Sequence, residues 1–140
     1  LFGFAQSFDE IKNVGLKDVD ISGSGWVGAL IGYGCCGKVS NCYSTGIIKP
    51  VPSSASAYIL GGLIGVMDTV NVDKSYSTVN VTGYFETSSD YNSDRNSIGG
   101  LIGICGLASS STASIHITNC YASGNIGLSG NNPDNNPDAD

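Results

Sequence analysis

The side chains able to do chemistry are few and scattered. The one histidine, His116, sits in "ASIHITN" between Ile115 and Ile117. On an alternating strand it points away from the core, and no nucleophile pattern such as G-x-S-x-G accompanies it. It therefore reads as a surface residue. Asp18 and Asp20 flank Val19 and share one strand face, as a pair of carboxylates for general acid–base work on a glycan would. Asp68 and Asp73 fall in what reads as the equivalent loop of a later copy. No feature fixes a gap between such acids across a groove, so they read as a solvated face.

Asp90, Asn92 and Asp94 alternate like the first half of a calcium loop. Arg95 stands where that loop requires Gly, and Leu101 where it requires an acid, so a plain polar loop is the better reading. Asn80-Val81-Thr82 is an N-glycosylation acceptor within a predicted strand. Trp26 either packs on a corner, the favoured reading, or stands out as a sugar-stacking ring. Five cysteines, Cys35, Cys36, Cys42, Cys105 and Cys120, lack C-x-x-C spacing. With a single His they make no usual zinc set. No metal or cofactor is implied.

Composition narrows the setting. Charged residues are only 13% of the chain, about half the usual share, while 20 of 140 positions are Gly. A surface kept soluble by hydroxyls and amides fits a β-rich, turn-rich extracellular protein. The net charge is −6 and Lys and Arg nowhere cluster, which argues against a nucleic-acid groove. No apolar run reaches the ~18 residues of a membrane span. The chain opens on "LFGF" without Met or a signal peptide, which reads as a mature product or an excised piece.

The organising feature is a repeat. "LFGF" at 1–4, "LIGY" at 30–33, "LIGV" at 63–66 and "LIGI" at 101–104 are spaced 29, 33 and 38 residues apart. Each is followed by a second block: "IKNVGLKDVDISG" (11–23), "VSNCYSTGIIK" (39–49), "VDKSYSTVNVTG" (72–83) and "ITNCYASGNIGLSG" (117–130). Only the first departs, with Gly15 in place of Tyr43, Tyr76 and Tyr121.

The runs between turns, such as "WVGALIGY", "AYILGGLIGV" and "SIGGLIGI", are short, β-branched and Gly-containing, so strands are expected and no helix. One such unit cannot bury its own apolar face, whereas stacked units share a core. The expected fold is all-β: a parallel β-solenoid of about four coils, spaced about 4.8 Å apart. Leu30, Leu63 and Leu101, with Leu1 at the end, would form one internal ladder. Ile11, Val39, Val72 and Ile117 would form another, and the three tyrosines an aromatic one. Gly would serve the corners, through positive φ or close approach of successive turns.

The extra residues at 50–57, 84–97 and 106–114 are polar and read as corner loops. The tail "NNPDNNPDAD" (131–140) reads as a linker or disordered end, leaving 1–130 as the repeat domain.

The paired blocks "GALIGYG…VSNCYSTG", "GGLIGV…VDKSYSTV" and "GGLIGI…ITNCYASG" resemble the GLUG repeat. "KSYSTV" and the 84–97 insertion depart from its pattern. The resemblance covers roughly residues 1–130. It implies an extracellular or cell-surface microbial protein, of the kind in which such repeats occur: adhesin-like proteins and non-catalytic regions of immunoglobulin-A-cleaving metallopeptidases. It implies no active site.

Cysteines Cys42 and Cys120 share one repeat position, and only those two copies carry a Cys after the LIG strand. Copies two turns apart lie beyond disulfide reach, so bridges within a coil are expected: Cys105–Cys120, and Cys42 with one of the vicinal pair, Cys36 being preferred. The alternative is that Cys42 and Cys120 are buried free thiols. The leading functional expectation is a non-catalytic structural or adhesive module, with host or matrix glycan or protein as its partner. A self-assembling subunit that stacks end to end is the alternative, and a glycan-active enzyme is less favoured.

Overall fold

The computed structural model describes residues 1–51, 58–84, 96–106 and 114–129. Most of the three insertions, the tail, and Asp90, Asn92 and Asp94 lie outside the described residues. The chain winds through four coils of strands, all paired in parallel with the equivalent strands of neighbouring coils. The first coil holds β1 (Phe2–Gln6), β2 (Ile11–Lys12) and β3 (Gly15–Gly23). The second holds β4 (Gly25–Gly28), β5 (Ile31–Ser40) and β6 (Tyr43–Pro50). The third holds β7 (Tyr58–Gly61), β8 (Ile64–Asp73) and β9 (Tyr76–Tyr84). The fourth holds β10 (Ser97–Gly99), β11 (Ile102–Cys105), β12 (Ile117–Thr118), β13 (Tyr121–Ala122) and β14 (Ile126–Ser129).

Three sheets result. One runs β1-β5-β8-β11, with β2 and β12 at its far end; one runs β4-β7-β10; and one runs β3-β6-β9-β13, with β14 also on β9. This is the β-solenoid expected from the repeat, with one internal difference. "GALIG" and "GGLIG" are not the middle of a strand. The chain leaves the three-stranded sheet at Gly28, Gly61 and Gly99, folds back over two residues, and enters the six-stranded sheet at Ile31, Ile64 and Ile102.

The glycines of this step are there for space. A Cβ on Gly65 would lie 2.6 Å from the Gly32 carbonyl oxygen and 2.8 Å from the Val27 nitrogen. On Gly103 it would lie 2.6 Å from the Gly65 oxygen. Backbone meets backbone here, so no side chain can swing aside. Of the two expected uses of Gly, close approach is therefore the one the LIG step makes.

Positive φ does occur at Gly25, Gly46 and Gly106, at 76°, 122° and 77°, but most left-handed positions among the described residues fall to other residues. Asn13, Asn41, Lys74 and Asn119 have φ of 58°, 51°, 47° and 54°, and each follows directly on the register set Lys12, Ser40, Asp73, Thr118. Asn reaches this region more readily than most residues because its short polar side chain bonds locally. The Asn41 amide donates to the Asn13 side-chain oxygen at 2.6 Å, tying one corner to the next.

The ladders fill the interior. Leu30 and Leu63 are completely buried, and the Leu30 and Leu63 amides donate to the Leu63 and Leu101 carbonyls at 2.9 and 2.8 Å. Ile11, Val39, Val72 and Ile117 are register partners. Met67, Val70, Ile64 and Ile31 complete this cluster, while Val27, Ile48, Leu60, Val79 and Val81 form a second.

The two halves of the repeat also touch. The buried Ser44 hydroxyl, from "CYST", donates to the Gly62 carbonyl at 2.8 Å, in the GGLIG step of the next coil. A buried carbonyl at the fold-back would otherwise lack a partner, so a small hydroxyl after Tyr matches the Gly step.

Candidate functional site

The tyrosine column is structural. Tyr43, Tyr76 and Tyr121 stack with ring centroids 5.1 and 4.9 Å apart and planes within 5° and 2° of parallel. At the end of the column a Cβ on Gly15 would meet the Tyr43 ring. The departure from Tyr in the first copy thus makes room for the ring above it.

A second aromatic group stands on the outer surface. Phe4 and Tyr33 are register partners whose rings stack at 5.3 Å and 9°. Trp26, reaching over from β4, lies 5.0 Å from Tyr33 at 32°. Trp26 and Phe4 remain 51% and 62% exposed. Trp26 therefore packs against Tyr33 and stays half exposed. Burial, with the Asp68 charge adding to it, raises the Tyr33 hydroxyl pKa.

The carboxylates do not assemble into an acid–base pair. Asp18 lies at a bulge with φ of 53°, its amide bonded to the Thr45 hydroxyl at 2.8 Å. Asp20 is exposed and faces Lys49 at 3.6 Å. Asp68 and Asp73 are not their counterparts, because both lie on β8 in the six-stranded sheet, whereas Asp18 and Asp20 lie on β3 in another. The register partner of Asp68 is Cys35, and that of Asp20 is Ile47.

Asp73 accepts from the Thr118 hydroxyl at 2.8 Å and the Asn119 amide at 2.9 Å, which holds its carboxyl pKa down. Glu10 accepts from the Ser40 hydroxyl at 2.7 Å and pairs with Lys38 at 3.1 Å and Lys12 at 3.3 Å. Chiefly through the Ser40 bond and Lys38, its pKa falls to about 2. No sequence pattern singled out Glu10, since its two main partners, Ser40 and Lys38, come from the neighbouring coil. His116 is exposed, its Nε2 2.8 Å from the Ser114 hydroxyl. Among the described residues no three His, Cys, Asp or Glu side chains lie placed to hold a metal ion.

All five cysteines are free thiols, and the expected bridges do not form. Cys42 is buried and donates to the Ser40 carbonyl at 3.2 Å, whereas Cys36 is exposed near the middle of β5. Four extended residues separate Cys36 from the end of that strand, about 13 Å at 3.3 Å per residue, beyond the ~7 Å limit for a bridge. Cys105 lies beside Met67, while Cys120 follows the segment beside Val72 and Asp73. About 20 Å of strand parts those positions. Cys120 instead donates to the Thr118 carbonyl at 3.0 Å, as Cys42 does to Ser40. The buried free thiol is the reading that fits Cys42.

Asn80 is exposed on β9, and its side-chain oxygen accepts from the Asn125 amide at 3.0 Å.

No protein-family model matches the chain, and no solved structure matches it significantly. It is 31% identical over 124 residues to an immunoglobulin A1 protease of Streptococcus sanguinis. That similarity takes in 87% of this chain but only 6% of the streptococcal protein, so what the chain resembles is a short segment of a much longer polypeptide.

Proposed function

We propose that the chain is a non-catalytic β-solenoid module of an extracellular or cell-surface microbial protein, one that spaces and presents other parts of that protein. The observation that carries this reading is how the recurring residues are engaged. Leu lies in the core, Gly in backbone contacts, Tyr in a stack, Ser on the Gly62 carbonyl, and Asn at the corners. What recurs builds the coil. Similarity to a segment of an immunoglobulin A1 protease supports a place beside a secreted proteolytic unit, and the resemblance to GLUG repeats points the same way.

For adhesion, the exposed rings of Trp26 and Phe4 provide a stacking surface of the kind that holds sugars. The test has two arms. Antibodies to the chain should label intact cells or the culture medium, and the purified chain should leave immunoglobulin A1 uncut. Labelling confined to broken cells, or cleavage by the chain alone, contradicts the proposal. Trp26 is the single tryptophan, so its fluorescence reports directly on any glycan that binds there.

A second reading, end-to-end self-assembly, applies where the first and last coils of this segment are also the ends of the folded array, since their ladder residues are apolar and exposed. Leu1 is 70% exposed on the first coil, and Ile117, Tyr121, Ile126 and Leu128 lie open on the last. Open edges in parallel sheets offer a template for further strands. Filaments in negative stain that lengthen with concentration would support this reading. Discrete monomers at high concentration would end it.

A further inference from the structure

We propose that Cys35 and Cys36 form a vicinal dithiol, a surface redox site at which the two neighbouring thiols close into a disulfide when they meet a small-molecule disulfide oxidant. Successive residues of a strand point to opposite faces, so adjacent cysteines normally hold their sulfurs apart. Here the two sulfurs lie 2.9 Å from each other. The cause is the backbone: Cys36 has φ of 57°, which swings its side chain onto the side of Cys35.

The cysteines do not make this corner. Ser7 and Thr69 occupy the same step of the coils on either side, with φ of 50° and 58°. The Ser7 amide donates to the Cys35 carbonyl at 2.9 Å, and Cys35 pairs in register with Gln6 and Asp68. The solenoid thus holds the pair in place from both neighbouring coils. Cys36 is exposed and Cys35 half-buried, so reagents reach them. The hydrogen bond between the thiols, with burial, pushes the Cys35 pKa up to about 11, which keeps that thiol protonated at neutral pH.

The chemistry balances with glutathione disulfide as oxidant. One cysteine thiolate attacks a glutathione sulfur, forming a mixed disulfide and expelling one glutathione thiolate. The second cysteine sulfur, on losing its proton, attacks the first and expels the other glutathione. The Cys35–Cys36 sulfur–sulfur bond forms, and two electrons and two protons end on two glutathione molecules. Neighbouring Cα atoms are only about 3.8 Å apart, below the usual disulfide range, so this ring is reopened readily. It is therefore a reversible redox site and adds no long-range staple.

Trypsin isolates the question. Its cleavages after Lys17 and Lys38 give a peptide, 18–38, that contains Cys35 and Cys36 and no other cysteine. The folded chain is incubated with excess glutathione disulfide, alkylated, digested and weighed. Peptide 18–38 is expected to be two hydrogens lighter, unalkylated and free of glutathione. Closure should fall about tenfold in equilibrium constant when the chain is unfolded in urea, because the corner is then lost. Phenylarsine oxide, which needs two adjacent thiols, should add once to the same peptide in the folded chain. Cys35→Ser and Cys36→Ser should each abolish both results and instead retain one glutathione. Ser7, at the same corner, argues that Ser is accepted at position 36. Doubly alkylated peptide, a cross-link to another cysteine peptide, or equal closure in urea would each overturn the proposal.

Discussion

Leu63 and Leu101 occupy the same step of successive coils in different surroundings, and this is where the ladder can be measured. Leu63 is completely buried between neighbours on both sides, whereas Leu101, on the last coil, is only partly covered. Leu63→Ala is expected to cost about 2–5 kcal/mol in urea unfolding, the range for a buried leucine whose site cannot collapse. Leu101→Ala should cost clearly less. Equal losses would mean that the fourth coil is covered in solution.

Glu10 gives a second residue-level expectation. Its folded pKa is about 2, against an ordinary value of 4.5. A depressed carboxyl stabilises the fold above the ordinary value and loses that contribution as pH falls from about 4.5 to about 2. Glu10→Gln should therefore remove part of the acid sensitivity in that window and leave the neutral-to-alkaline profile unchanged in shape. A melting-temperature series across pH checks this. At this scale the leucine and tyrosine columns were legible in the sequence, because equal spacing is what a ladder requires. Glu10 was not, since Ser40 and Lys38 meet it only once the coils are stacked.

Elements reveal more than spacing did. Reading "WVGALIGY" as one run merged β4 with β5, because a fold-back between two strands leaves no polar or Pro-rich break when both of its arms are buried. The glycines carried the signal, but as collision-free contacts between backbones. Gly65→Ala is accordingly expected to cost at least about 1–3 kcal/mol, as overpacking does, since the Gly32 oxygen and Val27 backbone cannot yield like a side chain. Gly3→Ala, with nothing within 4 Å, should be close to neutral. Chemical denaturation of the two variants compares them directly. The corner residues were readable in principle: Asn stands two positions before the Tyr step at Asn13, Asn41 and Asn119. The cysteine pairing failed for a different reason. Shared repeat position located the thiols along the chain but not the strand length between them.

Across the whole molecule, one arrangement accounts for the recurring residues: four coils in parallel register, with core, corners and stacks continuous from one to the next. Cross-linking tests that register most directly. Thr45 and Thr78 are register partners on β6 and β9, about 4.8 Å apart at parallel-strand spacing and so within disulfide reach. Asn80, two residues further on, is about 8 Å from Thr45 and out of reach. With Cys35, Cys36, Cys105 and Cys120 replaced by Ser, Thr45→Cys combined with Thr78→Cys is expected to oxidise to an internal disulfide in nearly every molecule. Thr45→Cys combined with Asn80→Cys should stay reduced. Efficient coupling of the second pair, or failure of the first in a folded chain, would contradict the stacked register on which the account stands.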